Sequence, residues 1–344
     1  MTELPMPTVR PRAPGTDGPL LDTFGRVARD LRVSVTDRCN LRCTYCMPAE
    51  GLPWLAKPEM LTDDELIRLI ALFVRLGVRQ VRLTGGEPLL RRSLVALVGR
   101  IAALQPRPMI AMTTNGVGLD RLAAPLRAAG LDRVNVSMDT IDPREFLALT
   151  RRDRLADVEA GLTAAQDAGL VPVKVNAVAM RGVNDAAVAD LLAWCMVRGY
   201  ELRFIEQMPL DAGHEWQASS MVTAAEVRAE LGKRYRLTPL PERGSAPAER
   251  FLVDDGPHTV GIIASVSDPF CAACDRVRLT ADGQLRNCLF ANAESDLRTA
   301  LRAGATDADL EEMIRGEMWR KARGHGIGSP DFHQPERPMS AIGG

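Results

Sequence analysis

Cys39-Asn40-Leu41-Arg42-Cys43-Thr44-Tyr45-Cys46 sets three thiols within eight residues, at the spacing C-x3-C-x2-C. Thiolates at this density suit a cubane iron–sulfur cluster, whose irons select cysteine sulfur. Four thiolates would close such a cluster. Three leave one iron with an open position, and an open position is where a metal site does chemistry rather than hold a fold together. A structural zinc site is the other reading of the same spacing, although no His lies nearby to complete it.

A second triplet lies far downstream. Cys271 and Cys274 form a C-x2-C pair and Cys288 follows. Between them, Asp282-Gly283 sits between two alternating runs, a hairpin signal. Folding about that turn is expected to set Cys288 opposite Val277 and so close to the pair. A zinc site completed by a residue such as Asp275 is the alternative. Arg276 and Arg278 share one face of the hairpin strand, and two guanidinia there suit phosphate oxygens by charge and by bidentate geometry. A merely solvated hairpin face would look similar. The seventh cysteine, Cys195, falls in an apolar helical pattern and reads as a packing residue.

The chain has 344 residues, 46% of them hydrophobic, and a formal net charge of −1. The hydrophobic content allows a large core, and the charge gives no general electrostatic case for nucleic acid or a membrane surface. No apolar signal region and no 18-residue apolar run is present. An odd number of cysteines without an export signal points to a reducing cytoplasm.

Residues 1–22 carry five prolines and read as a flexible arm. From residue 23 to about 245, strand and helix patterns alternate. Leu31–Thr36 reads as a strand feeding the first thiol loop, and a helix starts at Thr62 with a Thr62/Glu65 capping box. Further strands are expected near 79–84, 109–113, 133–138, 171–178 and 201–206. Helices are expected near 92–104, 119–129, 153–169 and 185–199, and another is capped by Thr223 and Glu226. Alternation of this kind builds a parallel sheet with right-handed crossovers. Six units are too few for a closed eight-stranded barrel, so an open (β/α)6 partial barrel or a doubly wound sheet fits. Polar residues gather where strands end: Thr84 to Pro88, Thr113 to Gly116, Ser137 to Asp139, Lys174 to Asn176, and Glu206 to Pro209. In parallel α/β folds those ends line the active site. Residues 246–344 form an α+β extension, with 251–266 read as strand. On its residues alone the Gly343-Gly344 tail, among prolines at 330, 335 and 338, reads as a frayed terminus.

The first octapeptide, with Asp37-Arg38 before it, Met47-Pro48 after it and Tyr45 ahead of the third Cys, resembles the cluster motif of the radical S-adenosylmethionine (SAM) superfamily. With the second triplet, Arg276-Val277-Arg278, Thr84 to Pro88, Thr113 to Gly116 and the terminal Gly-Gly, residues 22–344 resemble the GTP 3′,8-cyclase family of molybdenum cofactor biosynthesis. The resemblance favours the TIM-like partial barrel and implies two [4Fe-4S] clusters, on Cys39, Cys43 and Cys46 and on Cys271, Cys274 and Cys288. It implies SAM contacts at Tyr45, Gly86, Glu87, Ser137 and Met208. It implies GTP contacts at Arg32, Arg82, Thr113, Lys174, Arg276, Val277, Arg278, Gly343 and Gly344, with Arg32, Arg276 and Arg278 in the catalytic set.

The reaction implied begins with reductive cleavage of SAM to a 5′-deoxyadenosyl radical. The radical abstracts H3′ of GTP, and closure onto guanine C8 gives (8S)-3′,8-cyclo-7,8-dihydroguanosine 5′-triphosphate. A low-potential electron donor, a downstream cyclic pyranopterin monophosphate synthase and a homodimer are implied in the same way. Another radical SAM enzyme with an auxiliary cluster, or an iron–sulfur electron carrier, are the rival readings.

Overall fold

A computed structural model describes residues 18–241 and 243–343 of the chain. Gly344 and residues 1–17 of the expected arm lie outside the described residues. The core begins with β1 (Asp30–Ser34), α1 (Asp63–Arg75), β2 (Gln80–Thr84), α2 (Leu94–Ala102) and β3 (Met109–Thr114). It continues through α3 (Leu119–Ala129), β4 (Arg133–Ser137), α4 (Pro143–Thr150), α5 (Leu155–Asp167) and β5 (Lys174–Ala179). Then follow α6 (Val188–Arg198), β6 (Glu201–Glu206) and α7 (Ala224–Gly232). After these come β7 (Leu237–Pro239), β8 (Glu249–Val253), β9 (Thr259–Ile263), β10 (Arg276–Leu279), β11 (Gln284–Arg286) and β12 (Ser295–Asp296). Last are α8 (Leu297–Arg302), α9 (Asp307–Trp319) and α10 (Met339–Ile342).

The strands form one open sheet in the order β12-β11-β10-β1-β2-β3-β4-β5-β6-β9-β8-β7. The six core strands pair in parallel, in the partial barrel that the family resemblance favours over a doubly wound sheet. The segment after 245 does not make a sheet of its own. β10 adds in parallel beside β1, and β9 adds in parallel beside β6. The two halves of the chain therefore share one backbone hydrogen-bond ladder.

Local chemistry fixes the elements. Thr62 Oγ1 accepts from Glu65 N, the Glu65 carboxylate accepts from Thr62 N, and Gly77 at φ 99° lets the chain leave α1. Along each strand, apolar residues alternate with polar ones. Leu31 and Val33, Val81 and Leu83, Ile110 and Met112, Val134 and Val136, and Leu202 and Phe204 are buried in one core with Leu66, Leu69, Ile70 and Phe73 of α1. The alternate positions face the concave side and are mostly polar, Ala111, Val178 and Ile205 being exceptions, so the lumen is not the apolar plug of an ordinary barrel.

Several expectations are corrected. α4 was absent from the pattern reading; Asp142 caps it by accepting from Arg144 N and Glu145 N, and Pro143 sits at its first position. Residues 251–266 are not one strand but the β8–β9 hairpin, because Asp254 and Asp255, both at φ 52°, turn the chain. β5 begins at Lys174, not at 171, since Pro172 has no N–H for the ladder. Lys174 thus opens the strand rather than ending it. The end of the expected arm is packed: Leu20 is buried, and its N–H donates to Leu76 O at 3.3 Å. The terminal segment carries a turn of helix, α10, where none was expected. Cys195 is buried in the core as expected.

Candidate active site

The loop after β1 is held by its neighbours. Cys46 N and Met47 N both donate to Cys43 O at 3.0 Å, while Arg42 N and Thr44 N reach the carbonyls of Thr150 and Leu149. Gly85 and Gly86 press against it so closely that a Cβ on either would run into backbone atoms of Thr36, Asp37 or Arg38. Gly86 N donates to Thr36 O (2.8 Å) and Glu87 N to Arg38 O (2.7 Å). All three thiols are free and line a cavity of about 190 Å³, roughly ten times what one water needs. Gly86, Thr113, Ser137 and Met208, from four strand ends, line it with Tyr45.

Burial pushes the Cys46 thiol up to about 12, with the Cys39 and Asp211 charges adding to it. Burial also raises Cys43 and Cys39. Three half-buried, neighbouring thiols ionise together only beside a strong cation, so this donor set fits a metal body. Tyr45 is fixed by its hydroxyl, which donates to Asp139 Oδ2 at 2.8 Å, and Asp139 Oδ1 accepts from Val178 N at 2.8 Å.

Glu87 does not reach this cavity. Its side chain is fully buried, one oxygen accepting from Leu89 N and Thr114 Oγ1 and the other from Asn115 N. The carboxylate is consumed in joining the ends of β2 and β3, so the expected cofactor contact by this side chain is corrected to a positioning role. Asn115, held in this way, donates to Asn40 Oδ1 at 2.7 Å within the thiol loop.

Deeper in the lumen the register lines up cations. Arg278, Arg32 and Arg82 are direct neighbours on β10, β1 and β2. The same row continues through Ala111 to Arg133. One row on, Lys174 pairs with Asn135 and Glu201. Strands about 4.8 Å apart bring these guanidinia together, and like charges side by side repel. Burial first, and then the charge of Arg32, lower Arg82 to about 9, and burial drives Arg278 well down. The buried Nε atoms of Arg32, Arg82 and Arg276, and Nη1 of Arg82, lack hydrogen-bond partners. The carboxylates near these cations include Asp30, 3.8 Å from Arg276, Asp275, whose charge reaches Arg32, and Glu201, 3.2 Å from Lys174 and 3.9 Å from Arg203. The wall is therefore short of negative charge and is built for a polyanion. Arg133 and Arg203 escaped the sequence reading. Their signal was alternation, since each lies on the lumen face of its strand, but in so Arg-rich a chain neither stands out alone.

The Val277 side chain is a second correction. It pairs with Leu31 and is buried in the apolar core, on the opposite face from Arg276 and Arg278. The hairpin register is a third. Arg278 pairs with Arg286 and Leu279 with Leu285, which projects Cys288 toward Arg276 rather than Val277. Gly283, at φ 80°, adds the residue that shifts the register. The thiols still converge: burial raises Cys271, and the neighbouring Cys288 and Cys274 add to it. Burial raises Cys274 as well, but Lys321 and Arg276 outweigh it, so that thiol is lowered overall. All three are free. Among the described residues no three His, Cys, Asp or Glu side chains are gathered as ligands of a single ion. Three free thiols with two cations against one of the sulfurs make a donor set that fits an anionic iron–sulfur cluster.

The tail enters the same lumen. Met339 N donates to Leu210 O (3.0 Å), Ser34 Oγ donates to Ile342 O (3.0 Å), and Arg278 Nη1 donates to Gly343 O. A Cβ on Gly343 would strike Ser34 Oγ and Thr84 Oγ1. Arg337 holds the approach, forking onto Asp282 (2.8 and 3.2 Å) and reaching Glu294 at 3.0 Å.

Two family models match the chain: Radical SAM superfamily over residues 33–195 and Molybdenum Cofactor Synthesis C over residues 200–327. A GTP 3′,8-cyclase of Streptomyces coelicolor is 63% identical over 328 residues, covering 94% of this chain and 96% of its own. GTP 3′,8-cyclase 2 of Mycobacterium tuberculosis is 59% identical over 358 residues, covering 100% and 99%. Among solved structures, Streptococcus suis SuiB bound to its precursor peptide SuiA superposes with a TM-score of 0.60 at 13% identity, over 91% of this chain and 75% of that one. That likeness extends to the fold alone.

Proposed function

Because the chain belongs to the GTP 3′,8-cyclase family, radical SAM enzymes of molybdenum cofactor synthesis, we propose that its lumen holds one GTP between the two cysteine triplets. The observation that carries this reading is the row Arg278, Arg32 and Arg82, continued by Arg133 on the same face, in which buried N–H groups of Arg32 and Arg82 lack partners. A triphosphate supplies the missing charge and the missing acceptors. Arg276, Arg203 and Lys174 complete the grip, and Thr113 lines the wall nearby.

Cys39, Cys43 and Cys46 would hold a [4Fe-4S] cluster, with SAM seated against Gly86, Ser137, Met208 and the Tyr45 backbone. Bound there, the cluster and SAM supply a 5′-deoxyadenosyl radical able to take H3′ of GTP. Cys271, Cys274 and Cys288 would hold a second [4Fe-4S] cluster at the guanine end. Fixing a substrate at both ends limits its motion to the geometry that places one ribose hydrogen for transfer. Gly343, carrying Gly344 beyond it, would cover the nucleotide and exclude water.

In this reading residues 23–245 serve SAM and residues 246–344 serve the base, although one sheet joins them. Among the described residues no helix is long and apolar enough to cross a membrane. A cytoplasmic setting, an external low-potential donor, a downstream cyclic pyranopterin monophosphate synthase and a homodimer accompany the proposal.

The test is anaerobic turnover with SAM, a reductant and GTP deuterated at the ribose 3′ position. Deuterium should arrive in 5′-deoxyadenosine as GTP is consumed. Equal deoxyadenosine formation without nucleotide would remove GTP as the substrate.

A further inference from the structure

Lys321 follows α9 and is nearly excluded from solvent. Its ammonium donates to Arg276 O at 2.6 Å and approaches Cys274 Sγ at 3.5 Å. Neither described acceptor is a carboxylate. A buried ammonium without an anion is costly, so such a charge persists where the site itself supplies the compensating negative charge. Arg276 adds a second cation on the same sulfur, with Nη1 3.8 Å from Cys274 Sγ.

The position of Lys321 is built, not incidental. Its N–H donates to Met318 O at 3.0 Å as α9 ends. The next two residues are clamped by Arg26, whose guanidinium donates to Ala322 O (2.6 Å), Arg323 O (3.1 Å) and Cys271 O (2.7 Å). Asp22 holds Arg26 in turn. One clamp thus fixes both the first thiol loop residue of the second triplet and the backbone that carries Lys321.

We propose that Lys321 is the counter-ion of a cluster on the second cysteine triplet, hydrogen-bonding the Cys274 sulfur and raising the cluster's reduction potential. The inference rests on the reading that this triplet holds a cluster. A cation beside a ligand sulfur favours the state that carries one more electron, because that state has the greater negative charge at the sulfurs. A lysine suits the place, since a compact point charge satisfies one sulfur and one carbonyl together.

The test uses the full-length chain with Cys39, Cys43 and Cys46 replaced by Ala, so that only the second cluster contributes. Iron and sulfide are counted after anaerobic reconstitution, and the midpoint potential is then followed by electron paramagnetic resonance. Lys321→Met should keep the iron and shift the reduction equilibrium at least about tenfold toward the oxidised form, a more negative potential by ~59 mV. Lys321→Arg, which keeps the charge, should shift it by less than about threefold. An unchanged potential in Lys321→Met would overturn the counter-ion role while leaving the cluster reading intact. Loss of iron from Lys321→Met alone would tie the charge to cluster retention and overturn the potential-setting role, and loss from both variants would assign Lys321 to packing instead. If the parent chain takes up no iron, the cluster reading falls and the counter-ion with it.

Discussion

Arg82 illustrates how single residues here trade stability for binding. It is buried between Arg32 and the Arg133–Arg203 side, with Nε and Nη1 unpartnered. Arg82→Met keeps the volume and removes the repulsion. The nucleotide-free protein should melt a few degrees higher, while KM for GTP rises by about 10- to 100-fold; a melting temperature that falls would contradict this account. Glu87 and Asp139 set a pH dependence. Burial raises them to about 7 and about 6, against their hydrogen bonds. Each therefore binds more protons folded than unfolded between the ordinary carboxylate range and its folded value. Their contribution is complete below about pH 4 and is lost as pH rises through 6 to 7, on the order of 3 kcal/mol for Glu87. Urea midpoints of the metal-free protein should fall from pH 5 to pH 8, and the slope should flatten in Glu87→Gln.

Among the elements, α10 is short and poorly capped, yet it is placed firmly. Met339 N reaches Leu210 O, Ile342 is buried, and Gly343 sits where only hydrogen fits beside Ser34 and Thr84. Gly343→Ala adds a methyl at a φ of 86° and cannot seat. Turnover should drop by about a hundredfold or more with the melting temperature within about 2 °C of wild type, measured by deoxyadenosine and cyclised nucleotide together. A variant with normal turnover would show that the tail need not enter. The β10–β11 hairpin explains why the second triplet was only partly legible. Asp282-Gly283 announced the turn, but the register depends on the left-handed Gly283, which moves Cys288 across from Arg276. The β8–β9 turn differs, because Asp255-Gly256-Pro257 is itself a turn signal, and reading 251–266 as one strand passes over it.

Across the molecule, one sheet runs through what the sequence divides at residue 245, and ties from both chain ends close it. Arg26, close to the N-terminus, binds carbonyls of Cys271, Ala322 and Arg323. Arg26→Ala leaves those carbonyls and the buried Asp22 without their partner. The variant should lose about 3 kcal/mol of stability, as for breaking a buried pair. It should also release iron from the second triplet to a chelator at least about tenfold faster than from the first. Equal release from both would place the clamp outside the second site. The first loop has its own anchors on α4 and the β2 end, so it should hold.

The two thiol triplets, the alternation of strand and helix, the helix caps and the polar strand ends can all be read from the order of residues. Each is local: a spacing of a few residues or a two-residue period carries the whole signal. It took the folded chain to show that Arg278, Arg32, Arg82 and Arg133 stand in one row, that the side chains of Glu87 and Val277 turn away from the lumen, and that Lys321 lies against Cys274. Those facts depend on register between strands distant in the chain and on which face each residue presents. A one-residue shift reverses that face, and no short stretch of sequence encodes it.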